Sequence, residues 1–225
     1  MAEVNIEISK LKKSYDGQSI FDDFSLKLFE DKINCIIGPS GCGKTTFLNI
    51  LAGLTDYDGG SLNGISKRDI SYIFQEDRLI EWLTVKENLH IALKKYYKKS
   101  NINNEIENLL DMVGIKNVKN KYPSELSGGM RQRVNIARAF GKPSRILLMD
   151  EPFKSLDYKL KYTIIDEFKN ILNNKKRLVI LVTHDLDEAI YFEGRIFVFG
   201  SKPVKVIKAF EKITQNTRSE ILNLI

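Results

Sequence analysis

Between Gly38 and Thr46 the chain reads Gly38-Pro39-Ser40-Gly41-Cys42-Gly43-Lys44-Thr45-Thr46, with glycines, a lysine and a hydroxyl at the spacing G-x-x-x-x-G-K-[ST]. These residue types at this spacing bind phosphate. The glycines let successive backbone N–H groups turn inward onto one anion. Lys44 can reach β- and γ-phosphates, and Thr45 can offer its hydroxyl to Mg²⁺. An ordinary glycine-rich turn needs no particular flanks, but this stretch has the two that a phosphate loop requires. Ile33-Asn34-Cys35-Ile36-Ile37 before it is a short apolar run, which predicts a buried parallel strand. Phe47, Leu48, Ile50, Leu51 and Leu54 after it recur at helical spacing, which predicts a helix with its positive end on the same anion. The candidate nucleotide contacts are therefore Gly38, Ser40, Gly41, Cys42, Gly43, Lys44, Thr45 and Thr46.

Two carboxylates end another apolar run, in Arg145-Ile146-Leu147-Leu148-Met149-Asp150-Glu151-Pro152. A strand there delivers them to the edge where α/β proteins bind ligands. Asp150 is placed to hold Mg²⁺, and Glu151, one residue on, to orient or deprotonate an attacking water. Ile70-Ser71-Tyr72-Ile73-Phe74 is a further strand, ending at the polar Gln75-Glu76-Asp77. Leu178-Val179-Ile180-Leu181-Val182 is another, ending at Thr183-His184-Asp185. A histidine in that place can hydrogen-bond a phosphate oxygen, although a lone histidine is more often structural. Ser127-Gly128-Gly129 opens a helix carrying Val134, Ile136, Ala137 and Ala139. It reads either as a second anion-binding helix terminus or as a flexible N-cap. Tyr15, just before the Asp16-Gly17 turn, is either strand packing or a platform for a flat base.

The elements that must position these groups are read from periodicity. Residues 1–32 alternate apolar and polar, as at Val4, Ile6, Ile8 and again at Phe24, Leu26, Leu28, which predicts β-structure. Gly53 is placed to cap the loop helix, and Asp56–Gly64 reads as a turn-rich stretch. From about residue 79 to 126 the pattern is helical. Thr84-x-x-Glu87 is a capping box, and Ile106, Leu109, Leu110 and Val113 make an apolar face stopped by Gly114. Tyr122-Pro123 breaks the chain. Ser155-Leu156-Asp157 begins a helix with Ile164, Ile165 and Phe168. Asp185-x-x-Glu188 caps a short one, Arg195–Phe199 and Val204–Ile207 are strands, and Thr217-x-x-Glu220 caps a C-terminal helix ending in Ile221, Leu222, Leu224 and Ile225.

With 225 residues, 43% hydrophobic and 28% charged, the composition is that of a globular α/β protein. The longest apolar runs are too short to cross a bilayer. Met1-Ala2-Glu3-Val4-Asn5-Ile6-Glu7 carries no secretory signal, so the chain is expected to stay in the cytosol unless a partner holds it elsewhere. Two cysteines, Cys35 and Cys42, exclude a disulfide framework. Cys35 reads as a core residue, and Cys42, beside an anion nest, as a favoured thiolate. The net charge is +6, and lysines cluster at Lys94–Lys99, Lys116–Lys121 and Lys175-Lys176-Arg177. These clusters are dispersed and carry no nucleic-acid-reading motif, so they read as solvated faces, with no specific nucleic-acid partner expected.

In this order the motifs resemble the ATP-binding subunits of ABC transporters across nearly the whole chain. The resemblance rests on the phosphate loop, Gln75, Leu126-Ser127-Gly128-Gly129-Met130-Arg131-Gln132, Ile146–Glu151, Ser155-Leu156-Asp157 and Thr183-His184-Asp185. It implies an α/β fold: a phosphate-loop NTPase (RecA-like) core at 1–78 and 140–210 with an N-terminal antiparallel β subdomain. A helical subdomain is inserted at about 79–139, and a C-terminal helix comes last at 211–225. It implies that Tyr15 stacks adenine and that Thr45, Gln75 and Asp150 hold Mg²⁺. Glu151 is then the catalytic carboxylate, and Gln75 and His184 act with it at the γ-phosphate. Ser127, Gly128, Gly129 and Asp157 belong to the nucleotide site, with Ser127 and Gly129 reaching ATP bound by the other subunit of a head-to-tail homodimer. The segment Phe74–Val85 is similar to that of nitrate, sulfonate and taurine importers, a group with relatives that carry thiamine-precursor pyrimidines. Departures are Glu81, where many relatives have proline, Lys154-Ser155 in place of a small pair, and a short tail after Ile207.

The expected function is therefore ATP hydrolysis driving uptake of a small solute. The implied partners are integral membrane permease subunits and an extracytoplasmic solute-binding protein, and the implied location is the cytoplasmic face of the membrane. A non-transport ABC ATPase acting on nucleic acid or ribosomes is the alternative, and a nucleotide binder that does not hydrolyse is a third. Leu79, Ile80, Trp82 and Leu83 are an apolar cluster that either packs into the core of the helical insertion or forms an exposed docking site, and the resemblance implies a groove that receives a permease helix.

Overall fold

The computed structural model describes residues 4–30, 32–174, 177–211 and 215–224. Met1–Glu3, Lys175, Lys176 and Ile225, which figure in the N-terminal, lysine-cluster and C-terminal expectations, lie outside the described residues. The chain divides into two compact units: residues 1–70, 145–150 and 176–225, and residues 71–144 and 151–175.

In the first unit, β1 (Val4–Tyr15) and β2 (Gln18–Phe29) pair as an antiparallel hairpin across the Asp16-Gly17 turn. Alternation puts Ile6, Ile8, Phe24, Leu26 and Leu28 inside, and a register shift after Ile8 brings Leu11 in as well. A third strand, β4 (Gly59–Asn63), pairs with β1, where the sequence reads as turns alone. Its Gly-Gly-Ser-Leu-Asn has no alternating apolar face to announce a strand. The pairing needs glycine: a Cβ on Gly60, at φ +96°, would lie 2.5 Å from the Lys10 carbonyl oxygen.

The larger sheet of this unit has β6 (Ile146–Asp150), β7 (Leu178–Val182), β3 (Asn34–Ile37), β8 (Arg195–Phe199) and β9 (Val206–Phe210) in that order. The first four are parallel and fully buried, as their continuous apolar runs require, and β9 closes antiparallel on β8. Helix α1 (Lys44–Leu51) comes after β3. Gly53 ends it as expected, its N–H reaching Ile50 O at 3.0 Å while the Leu54 N–H reaches Asn49 O at 2.9 Å. Phe47 of α1 meets Phe21 and Phe24 of β2 and Phe199 of β8 with ring centroids 5.6–6.1 Å apart. Edge-on aromatic pairs add roughly 0.5–1.5 kcal/mol each beyond burial. The helix that carries the end of the phosphate loop is thus anchored to both sheets.

At the C-terminus, α7 (Gln215–Leu222) begins two residues before Thr217. Thr217 is a buried residue inside the helix rather than its cap. Glu220, expected to complete a capping box with it, instead pairs with Lys208 of β9.

The second unit holds β5 (Ile70–Ile73, from Ser71 on), then α2 (Val85–Leu93), α3 (Ile102–Met112), α4 (Gly128–Gly141) and α5 (Tyr158–Asn174). The Thr84–Glu87 capping box forms, with Thr84 Oγ1 accepting from Glu87 N at 3.3 Å and Glu87 Oε2 from Thr84 N at 2.8 Å. Ile106, Leu109, Leu110 and Val113 are buried as their spacing requires, and Gly114 stops the helix at φ +64°. Gly141 ends α4 against α2 and α3: a Cβ there would lie 2.5 Å from Leu109 and 2.8 Å from Leu93.

Candidate functional site

The first unit supplies a phosphate loop at a sheet edge. Asp150 of β6 and Ile36 of β3 both pair in register with Val182 of β7. The three strands therefore end level, and their ends share one edge: Gly38 after β3, Asp150 closing β6, and Thr183-His184 after β7. Ligand sites of α/β proteins lie along such an edge. The pairing runs one step further, because the Thr183 N–H donates to Ile36 O at 3.2 Å.

The loop has close neighbours. A Cβ on Gly38 would lie 2.5 Å from Phe199 O, so a larger residue there would push the loop off β8. Gly43, the N-cap of α1, offers no side chain to the first amides of the helix, which leaves them for an anion. Lys44 is nearly buried, and its ammonium donates to the carbonyls of Gly38 and Pro39, each at 2.8 Å. Ser40, Gly41 and Thr45 are exposed, and Thr46 is half-buried. Cys42, beside the loop amides, is buried at 3% exposure with Sγ 4.0 Å from Lys44 Nζ. Burial, with the charge of Glu188 adding to it, holds the Cys35 thiol far above its ordinary range, so it stays an inert core group.

Asp150 is buried at 2% exposure and His184 is exposed. The turn carrying His184 is tied by Thr183, whose hydroxyl donates to Glu188 at 2.7 Å and accepts from the Asp185 N–H at 3.0 Å. Asp185 caps α6 (Leu186–Tyr191) through the N–H groups of Asp187 and Glu188. Glu188 turns inward to Thr183 rather than completing the capping box expected with Asp185. Tyr15, at the end of β1, is 45% exposed, with Lys13 Nζ 4.7 Å from its ring centre.

The second unit carries the other expected site residues. Ser127 is the N-cap of α4, its hydroxyl accepting from Met130 N at 3.3 Å. Ser127 and Gly128 are exposed. A Cβ on Gly129 would lie 3.1 Å from Ser155 O, so α4 starts hard against the chain leading into α5. Asp157 caps that helix, accepting from Leu160 N at 3.0 Å. Gln132 Nε2 donates to Pro152 O at 2.9 Å. Glu151 has φ +46°, a left-handed conformation costly for a side-chain-bearing residue, and its carboxylate lies 3.1 Å from Lys154 Nζ. Gln75 is exposed after β5.

Residues that the motifs do not announce surround Gln75. An open cavity within this unit is lined by Gln75, Asp77, Glu81, Gly128, Arg131 and Ser155, among others. Arg131 Nε and Nη2 donate to the two Asp77 oxygens at 2.8 and 3.1 Å, and Nη2 and Nη1 donate to Glu81 at 2.5 and 3.3 Å. The expected docking cluster splits. Leu79 is buried in the core, Ile80 and Leu83 are half-buried, and Trp82 is 78% exposed. Leu79 faces inward because its own N–H is turned by Asp77 Oδ1 at 3.1 Å, while Asn88 holds Ile80 by both its N–H and its carbonyl.

Residues 21–154 match the family described as ABC transporter. Similar chains include proteins named aliphatic sulfonates import ATP-binding protein SsuB. One from Bacillus cereus is 37% identical, with 96% of this chain and 90% of its own length covered. That of Bacillus licheniformis is 42% identical, with 84% and 76% covered, and that of Bacillus subtilis (strain 168) is 40% identical, with 91% and 83% covered. Among solved structures, the dimeric, post-hydrolysis ATP-binding cassette MJ0796 bound to ADP and Pi superposes with a TM-score of 0.84 at 28% identity, over 93% of this chain and 99% of that one. This chain belongs to the ABC transporter family, as an ATP-binding and ATP-hydrolysing cassette of phosphate-loop NTPase fold. No helix among the described residues is long and apolar enough to cross a membrane.

Proposed function

We propose that this cassette powers import of a small sulfonate-type organic anion. The observation that carries the nucleotide part is the level ending of β3, β6 and β7, which supports a shared γ-phosphate site for Lys44, Asp150 and His184. Backbone N–H groups of Gly38 and Ser40–Gly43, the Lys44 ammonium and the hydroxyls of Ser40 and Thr46 bind the phosphates, and Tyr15 stacks the adenine. Glu151 orients and deprotonates the attacking water, and His184 donates to the γ-phosphate. Water attacks in line, and positioning supplies most of the rate.

Mg²⁺ fits this donor set. No cluster of three acidic, histidine or cysteine side chains is present among the described residues. Mg²⁺ is commonly held by one or two protein oxygens together with phosphates. Thr45, Asp150 and Gln75 supply such oxygens, and the bound ion would neutralise charge on the phosphates.

Ser127 and Gly129 act on ATP held by a second copy, with Gly128 and Asp157 also at the nucleotide site, so the working unit is a homodimer. The dimeric relative among solved structures supports this. The partners are permease subunits at the cytoplasmic face of the membrane and an extracytoplasmic solute-binding protein. The names of the curated relatives support the solute class. The lysine clusters give the nucleic-acid alternative little support: Lys116 and Lys119 both face Glu107, at 3.8 and 2.5 Å.

Deletion of the gene tests the reading. The deletion strain is expected to lose uptake of radiolabelled alkanesulfonate and to regain it with the wild-type chain but not with Glu151→Gln. Undiminished uptake in the deletion strain contradicts it.

A further inference from the structure

Helix α4 does more than begin with Ser127. Three of its side chains, at helical spacing, reach one neighbouring segment. Arg131 holds the carboxylates of Asp77 and Glu81. Asn135 Nδ2 donates to Phe74 O at 3.0 Å. Arg138 donates to Asp77 O and Arg78 O, each at 2.8 Å. Positions 131, 135 and 138 lie on one face of the helix. The ties fall on both sides of Gln75 and Glu76, at Phe74 before them and Asp77 after, while Gln75 and Glu76 themselves are exposed.

Among these ties Arg131 is the one made of charge. Its guanidinium meets Asp77 with two parallel N–H groups, the bidentate geometry that fixes orientation as well as distance. The same guanidinium reaches Glu81, so one cation spans the segment from Asp77 to Glu81. Hydrogen bonds that Arg131 donates to Glu81 and then Asp77 raise its pKa above its already high value, so the guanidinium keeps its charge at any physiological pH.

We propose that Arg131 is a positioning residue that locks the 77–81 segment, and with it Gln75, to the helix headed by Ser127, so that the two move as one body during the ATP cycle. This rests on the proposed hydrolysis for its effect on turnover, but the lock itself is independent of it. Asn135 and Arg138 bind main-chain carbonyls and would hold any sequence in the segment. Arg131 is specific to the acids of this one. A ground-state contact of this kind acts on kcat through geometry at Gln75 and leaves ATP affinity alone.

The only tryptophan of the chain, Trp82, is the residue after Glu81 and is 78% exposed, so its fluorescence anisotropy reports the freedom of this segment. The experiment compares wild type, Arg131→Gln, Glu81→Gln and the double variant. Both single variants are expected to lower Trp82 anisotropy and to lower kcat about three-fold at unchanged KM for ATP, with the double variant no worse than the worse single one. Arg131→Lys is expected to recover only part of the loss, because an ammonium cannot make the fork. Glu81→Gln alters a half-exposed side chain, so it keeps the test open where Arg131→Gln fails to fold. Unchanged anisotropy in the folded variants overturns the proposal, and so does lowered anisotropy with unchanged kcat. A wild-type chain without ATPase activity contradicts the proposed hydrolysis instead, while the anisotropy comparison still decides the lock.

Discussion

The Lys44 ammonium lies 2.8 Å from the carbonyl oxygen of Gly38, so the cation of the phosphate loop is tethered to the first residue of that loop. Ser127, whose hydroxyl caps α4, belongs to the other compact unit of the chain. In the proposed homodimer Lys44 and Ser127 of one chain serve different ATP molecules. A Lys44→Ala chain and a Ser127→Arg chain are each expected to be inactive alone. Mixed, they are expected to form heterodimers with one intact site and to regain a measurable part of wild-type turnover. Background activity from a mixture that dimerises contradicts the two-chain site.

The split of the apolar segment after Gln75 separates stability from docking. Leu79 is buried, so Leu79→Asp places a charge in the core and is expected to cost about 3 kcal/mol or more of stability in urea unfolding. Trp82 is exposed, and Trp82→Asp is expected to leave unfolding and basal ATPase nearly unchanged while abolishing co-purification with the permease. A Trp82→Asp chain that still binds its permease normally removes this residue from the proposed interface.

The sequence announces what is local and what is periodic. The phosphate loop, the Thr84–Glu87 box and the apolar strands before Asp150 and Thr183 are legible because their signals lie within a few residues. Strand β4 is not, since its pairing depends on Gly60 fitting against Lys10, a contact between residues far apart in the chain. Thr217 has a cap's spacing but sits inside α7, because two helical residues precede it. Leu79 and Trp82 read as one cluster in the sequence, yet the structure buries one and exposes the other, with Asp77 and Asn88 holding the backbone at Leu79 and Ile80. Glu81 stands out as a departure from the resemblance, yet nothing near it in sequence names Arg131 as its partner.

Asp77 makes stability depend on pH. Burial alone would raise its pKa, but hydrogen bonds from Arg131 and the Leu79 N–H and the charges of Arg131 and Arg138 outweigh it and hold the carboxyl below the usual range. A carboxylate with a depressed folded pKa stabilises the fold above its unfolded value, and that contribution is lost as pH falls through the folded one. Asp77→Asn is therefore expected to cost about 1 kcal/mol at pH 7. The gap to wild type is expected to shrink as pH falls below about 4. A gap that stays constant from neutral to acid pH contradicts the charged pairing.

Glu151 is proposed as the base of this ATP hydrolase. Glu151 holds φ +46° directly after the buried Asp150, and glutamine in its place keeps shape and hydrogen bonding while removing the charge. Steady-state ATP turnover and ATP-induced dimerisation are measured side by side for wild type and Glu151→Gln. The predicted result is turnover lowered about 10²-fold or more, with ATP still bound and an ATP-loaded dimer accumulating. Near-normal turnover in Glu151→Gln would contradict the role given to Glu151.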